Sequence, residues 1–142
     1  MRAFITFYAT LFSVATCFAA DVESPSRDLE KLQGRWEREL KQNGQTYRVV
    51  KEIVDRVETV TIYDGPRIVH AHKVDFELIF TGDVRIMQWK NRVITVGNPK
   101  DRVKEGRFIY RLTDQHWIGV IGFLEGETQP VLVEVYQRAP SK

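Results

Sequence analysis

The 142-residue chain contains a single cysteine, Cys17, which lies inside an apolar N-terminal stretch. The rest of the chain therefore has neither a disulfide nor a thiol nucleophile, and its stability must come from a packed core. Beyond the apolar stretch the only serines are Ser24, Ser26 and Ser141, all near the ends of the chain. A serine-centred catalytic triad on the folded body is thereby excluded.

The chain also lacks a strong charge of either sign. It has 21 Lys and Arg against 19 Asp and Glu, and this balance argues against a nucleic-acid partner, which needs a basic patch. No glycine-rich phosphate loop precedes a helix. The carboxylate pairs Asp75 with Glu77 and Glu125 with Glu127 fit a solvated strand face and a turn. The sequence therefore predicts no catalytic residues, no cofactor and no enzymatic activity.

Histidine is scarce, with only His70, His72 and His116 in the chain. On a strand His70 and His72 share one face, with Cα atoms about 7 Å apart, and could offer two ligands to zinc or copper with His116 as a third. Nothing in the sequence brings His116 to the pair, and no carboxylate is evident to orient the imidazoles. We therefore predict ordinary strand histidines without a metal, and a metal site is the least favoured function considered.

The N-terminal stretch is typical of a signal peptide. It combines one basic residue, Arg2, with an apolar run and a small-residue end. The run barely reaches the length of a membrane span, so we predict removal of residues 1–19 and export to the periplasm or the extracellular space. The segment Val14-Ala15-Thr16-Cys17 resembles a lipoprotein box, so acylation of Cys17 with envelope anchoring is the alternative.

The remainder of the chain is rich in strand-like runs. We assign residues 20–26 to a linker and 27–142 to one domain. Ser26 predicts the N-cap of a short helix over Arg27–Gln33. Eight or nine short alternating runs follow, joined by hairpin-length turns such as Asn43-Gly44. The pattern predicts an all-β fold, either an antiparallel up-and-down β-barrel of about eight strands or a sandwich.

Several details of this strand pattern are open to a direct check. The longest alternation, Ile68 to Phe80, predicts one long curved strand or two strands that meet at a corner. The run Lys51–Glu58 has apolar residues at helical and strand spacing alike, and we assign it to a strand. Lys90-Asn91 predicts a turn before the next strand. In the last strand we expect the inward-facing side chains to be Val131, Val133 and Val135.

The segment Leu32-Gln33-Gly34-Arg35-Trp36 joins the predicted helix to the first strand. Its Gly-x-Trp resembles the lipocalin fingerprint, and Leu-Gln-Gly-x-Trp after a secretion signal is closest to short secreted lipocalin-like proteins known mainly from planctomycete bacteria. The resemblance implies that Trp36 closes one end of the barrel and stacks on Arg138 in the last strand. Gly34 would permit the close approach of the chain there. The alternative is that Trp36 is a core aromatic of another β-barrel or sandwich.

A closed barrel of eight strands can just hold one small ligand, or its own side chains can fill it. The bulky inward candidates include Phe76, Phe108, Tyr110 and Trp117, which we predict to contact a small apolar ligand. The sequence thus favours a secreted or envelope-associated lipocalin-like binding protein. The alternative function is a filled barrel that acts as a structural or protein-interaction domain.

Overall fold

The computed structural model describes residues 24–99, 103–124 and 130–140. Within these residues each strand pairs antiparallel with the next and the last pairs with the first, which closes an up-and-down barrel. The predicted all-β, lipocalin-like barrel with a short N-terminal helix is therefore confirmed. The elements are α1 (Pro25–Leu32), β1 (Gly34–Gln42), β2 (Gln45–Val54), β3 (Val57–Asp64), β4 (Arg67–Thr81), β5 (Val84–Val96), β6 (Gly106–Leu112), β7 (His116–Ile121) and β8 (Leu132–Arg138).

Helix α1 begins two residues earlier than the sequence predicts. The side-chain oxygen of Ser24 accepts a hydrogen bond from the backbone N–H of Arg27 at 3.3 Å, so Ser24 is the N-cap and Ser26 is not. Pro25 lies in the first turn of the helix. Backbone N–H groups there have no partner within the helix, so the missing N–H of proline costs no hydrogen bond. The predicted signal peptide and Cys17 lie outside the described residues. No helix among the described residues has the length and apolar character to cross a membrane.

One end of the barrel is closed by α1 and by the aromatic residues beneath it. Leu32 and Trp36 are fully buried there, and the indole N–H of Trp36 donates to the carbonyl of Leu32 at 2.8 Å. The Trp36 ring meets the Trp117 ring edge-on, with 6.0 Å between centroids. These contacts fix the helix against the barrel and place the densest part of the core at this end.

The stacking of Arg138 on Trp36 that the sequence predicts is present. The Arg138 guanidinium carbon lies 4.2 Å from the centre of the Trp36 ring. The same guanidinium donates to the carbonyls of Lys31 and Gln33 at the end of α1, the latter at 3.0 Å. Gly34 has a φ of +102°, which glycine adopts without strain, and it brings the chain close to Arg138. Arg138 thus stabilises the helix C-terminus as well as the aromatic ring.

Two predicted details of the middle strands change in the structure. Lys90-Asn91 is not a turn, because β5 runs through it. Asn91 has a φ of 57°, in the left-handed region, and the β4–β5 register shifts opposite it, between Lys73 and Asp75. Asn91 therefore forms a β-bulge within the strand. The run Lys51–Glu58 does form strand, but a two-residue turn at Asp55 and Arg56 divides it between β2 and β3. β4 is one long strand.

The predicted inward face of β8 is wrong. Val131, Val133 and Val135 are 54%, 57% and 47% exposed, so they face outward or lie beyond the rim of the barrel. The opposite face of the strand, with Glu134 and Tyr136, points into the barrel. Hydrophobic alternation fails here because the interior supplies cations that pair with Glu134.

A double-mutant cycle tests the Trp36–Arg138 contact. Trp36→Ala should lower the free energy of unfolding by about 3–5 kcal/mol, as for other buried aromatic truncations. Arg138→Ala should cost less, and the double variant should lose less than the sum, since both single changes remove the same contact. Chemical denaturation of the four proteins measures this. Arg111→Ala, on the outer face of β6, serves as the control, and its loss of unfolding free energy should add to that of Trp36→Ala. If the losses caused by Arg138→Ala and Trp36→Ala were also additive, the stacking would be contradicted.

Candidate ligand-binding cavity

A cavity of about 550 Å³ occupies the half of the barrel away from α1. All eight strands contribute side chains to it. Its walls carry an apolar belt formed by Val49, Val60, Ile62, Val74 and Ile121. A second depression lies on the outside of the barrel beside β1 and the C-terminal residues, where exposed side chains such as Glu39 and Thr46 form its wall. Only the first is lined by the inward faces of the strands.

The side of the cavity nearest the core carries ionised side chains from β1, β2, β3 and β8. Arg38 forms an ion pair with Glu134, and the ammonium of Lys51 lies 3.3 Å from Glu58 and 3.9 Å from Glu134. The hydroxyl of Tyr136 donates to Glu134 at 3.1 Å. We refer to Arg38, Lys51, Glu58 and Glu134 as the interior charge cluster. With two cations and two carboxylates it is neutral overall.

The ammonium of Lys51 is also surrounded by aromatic rings. It lies 4.4 Å from the centre of the Trp117 ring, 4.8 Å from Tyr136 and 5.5 Å from Phe108. All three distances fall within the range of cation–π attraction. The protein's own lysine therefore occupies the space between these rings.

Burial alone would lower the pKa of Lys51, because a desolvated ammonium loses hydration. The carboxylates of Glu58 and Glu134 outweigh burial and raise the Lys51 pKa to about 12. Burial raises the pKa of Tyr136, so its hydroxyl stays protonated and can donate. Lys51 is thus a charged, paired group at neutral pH, and a raised pKa is unfavourable for a nucleophilic amine.

His70 and His72 line the open half of the cavity from β4. The Nε2 atom of His70 lies 2.9 Å from Nδ1 of His72 and 3.3 Å from the Arg92 guanidinium. Because the Arg92 nitrogen can only donate, His70 Nε2 is the acceptor and the Nδ1–H of His72 donates to it. His116 begins β7 at the α1 end of the barrel, so the structure does not bring the three histidines together. Among the described residues no group of three or more metal-ligating side chains converges.

Of the four residues predicted to contact a ligand, Phe108 lines the cavity. Phe76, Tyr110 and Trp117 are buried in the core cluster and are not among the lining residues. The hydroxyl of Tyr110 donates to the buried carboxylate of Asp28 in α1 at 2.9 Å, and burial together with this bond raises the Tyr110 pKa. Tyr110 therefore ties α1 to β6, and its contact with a ligand remains a prediction.

Sequence reasoning missed the charge cluster. Lys51 alternates in phase with Val49 and Ile53, and Glu58 alternates in phase with Val60, so both lie on faces that the apolar residues predict to be buried. Charged residues in an inward phase were the available signal. Lys51 and Glu58 lie on neighbouring strands, but Glu134 reaches them from the last strand, and local alternation does not identify that contact.

Comparison with protein-family models, with curated protein sequences and with solved structures finds no match to this chain. The functional interpretation therefore depends on the barrel, the cavity and the side chains that line it.

The charge cluster makes a direct prediction about stability. Glu134→Gln removes one of the two carboxylates, so Arg38 loses its ion pair with Glu134 and Lys51 keeps its ion pair with Glu58. Breaking a buried ion pair from one side should lower the free energy of unfolding by about 3 kcal/mol. Urea denaturation measures the loss. Glu39→Gln, an exposed change on β1, is the matched control and should stay within about 0.5 kcal/mol of the parent. Equal, small effects of both changes would contradict a cluster of buried, interdependent charges.

Proposed function

We propose that this protein is a lipocalin-like binding protein that holds one small molecule inside its barrel. The cavity is the observation that supports this proposal most directly. Its volume, about 550 Å³, lies within the range of roughly 300–1,000 Å³ common among small-molecule sites. A barrel filled by its own side chains, the alternative, would leave no space of this size. The cavity therefore favours binding over a purely structural or interaction role.

Membership of the lipocalin-like family is part of the proposal. Three features support it together. The barrel is an eight-stranded meander with a short N-terminal helix. Gly34 and Trp36 stand at the start of β1, and Arg138, near the end of β8, stacks on Trp36. The contact joins the first and last strands at the closed end, which is the arrangement that the sequence resemblance implies.

The residues that line the cavity indicate which kind of ligand fits. The apolar belt suits a hydrocarbon or aromatic body, as the sequence suggests. The interior charge cluster sets a condition on the rest of the molecule, because an entirely apolar ligand pressed against it would remove hydration and return no hydrogen bond. We therefore expect an amphipathic ligand whose apolar body contacts Val60, Ile62 and Val74 and whose polar group reaches Lys51 or Glu58.

Export belongs to the same proposal, since the apolar N-terminal stretch has the features of a signal peptide. The protein recovered from outside the cytoplasm should begin at about residue 20. Intact-mass measurement of the exported protein checks this. A chain that starts at Met1 would contradict processing, whereas an acyl group on Cys17 would identify the lipoprotein alternative.

A titration with the amphipathic dye 1-anilinonaphthalene-8-sulfonate tests ligand binding. We expect saturable dye fluorescence with one site per barrel. Val60→Phe places a larger ring in the cavity and should weaken dye binding by about tenfold or more, since the added volume displaces ligand. Thr61→Phe, on the outward face of the same strand, should leave dye affinity unchanged. Thermal melts establish that both variants fold. Absence of saturation, or equal losses in both variants, would contradict a ligand in the barrel.

A further inference from the structure

The polar side of the cavity has more hydrogen-bond donors than carboxylate oxygens to accept them. Lys51 carries three N–H donors, Arg38 carries five, and the Tyr136 hydroxyl adds one. Glu58 and Glu134 offer four oxygens in return. Both oxygens of Glu134 already accept, one from Arg38 and one from Tyr136, and one oxygen of Glu58 accepts from Lys51. The interior charge cluster therefore keeps unused donors although its formal charges cancel.

Two buried N–H groups in this region have no hydrogen-bond partner. They are Nε of Arg38 and the indole Nε1 of Trp117. The centre of the Trp117 ring lies 4.4 Å from the ammonium of Lys51, so the unpaired indole N–H is close to the cluster. Among the side chains that the structure describes, no buried oxygen lacks a partner. Because an unpaired N–H carries partial positive charge, the polar side of the cavity favours an acceptor over a further donor.

Lys51 is the donor that a ligand can reach. Its side chain lines the cavity and is 7% exposed. Its ammonium lies 3.3 and 3.5 Å from the two oxygens of Glu58 and 3.9 Å from Glu134. A charge-assisted N–H···O bond usually spans about 2.7–2.9 Å, so neither carboxylate holds this ammonium closely. An oxygen of a ligand could approach Lys51 more closely than either of them.

We propose that the polar group of the ligand is a hydrogen-bond acceptor, a carboxylate or carbonyl oxygen, which binds the ammonium of Lys51. This assignment rests on the proposed function, since Lys51 can hold a ligand only if the cavity admits one. Lys51 on β2 pairs in register with Val60 on β3, and both side chains line the cavity. One small molecule can therefore contact the ammonium with its polar group and the apolar belt with its body.

The same arrangement disfavours a cationic ligand. Aromatic ring faces and carboxylates are the groups that attract a cation. Here they surround the ammonium of Lys51 and consist of Phe108, Trp117, Tyr136 and Glu58. Because Lys51 is charged and already occupies this position, a ligand ammonium would meet a like charge and find these groups taken. An amine is therefore the polar group that we expect the cavity to reject.

Three compounds with one hydrocarbon chain test the proposal. Decanoate, 2-decanone and decylamine present an anionic acceptor, a neutral acceptor and a cationic donor at neutral pH. Isothermal titration calorimetry measures their binding to the exported protein without a dye. We expect decanoate and 2-decanone to bind at least about tenfold more tightly than decylamine, because only they accept a hydrogen bond from Lys51. Tighter decanoate would identify the head group as a carboxylate, and equal or tighter 2-decanone would identify an uncharged carbonyl.

Two variants should change this preference in opposite directions. Lys51→Met removes the ammonium, so decanoate should bind about tenfold more weakly and decylamine more tightly, since the rings and carboxylates become available to the cation of the ligand. Glu58→Gln removes a carboxylate and keeps Lys51, so decylamine should weaken while decanoate binds at least as tightly as before. Glu39→Gln, an exposed change on β1, is the matched control and should leave all three affinities unchanged. Thermal melts establish that each variant folds.

The results separate the head-group assignment from ligand binding itself. If neither the dye nor any of the three compounds binds, the proposed function fails and the assignment fails with it. If the dye saturates and decylamine binds as tightly as the two acceptors, the proposed function stands and the assignment is overturned. An unchanged ratio of decanoate to decylamine affinity in Glu58→Gln would also overturn it, and this readout holds even if Lys51→Met does not fold.

Discussion

The ion pairs around Glu134 determine how the barrel closes. Strands β1 and β8 share only two residue pairs in the backbone ladder, Trp36 with Arg138 and Glu37 with Gln137. Beyond those pairs, Glu134 crosses the join through its contacts with Arg38 on β1 and Lys51 on β2. Because these cations lie inside the barrel, Glu134 must face inward. That orientation fixes the alternation of β8 and turns its valines outward. The charged side of the cavity and the outward-facing Val133 and Val135 therefore share one cause.

The closed end depends on different chemistry. There α1 covers a tightly packed aromatic core, and Arg138 binds the carbonyls at the helix C-terminus while it stacks on Trp36. The Tyr110 hydroxyl and the Arg85 guanidinium hold the buried carboxylate of Asp28. The barrel thus changes along its axis, from an aromatic core under the helix to a cavity with an open mouth. In that cavity the charges and the apolar belt lie side by side, since Lys51 pairs in register with Val60 and Glu58 with Val74.

The sequence predicts the barrel and its closed end well because those features depend on local patterns. Strand alternation, turn residues and the Gly34-x-Trp36 motif are visible within a few residues of one another. The face of β8 could not be predicted in this way, since the pairing of Glu134 with Lys51 joins residues far apart in the chain. Asn91 was equally ambiguous, because a left-handed residue suits a turn and a bulge alike. The same reasoning missed the lining charges, since it sought ligand contacts among aromatic residues alone.

The central claim is that the barrel encloses a cavity that takes one amphipathic molecule. Native mass spectrometry of the protein isolated from its own host tests this most directly, since it detects a bound molecule without advance knowledge of its identity. The account predicts a population heavier than the bare chain by the mass of one small molecule, which is released on unfolding and contains both a hydrocarbon or aromatic part and a polar group. Only the bare mass, unchanged when amphipathic molecules are added in excess, would contradict it.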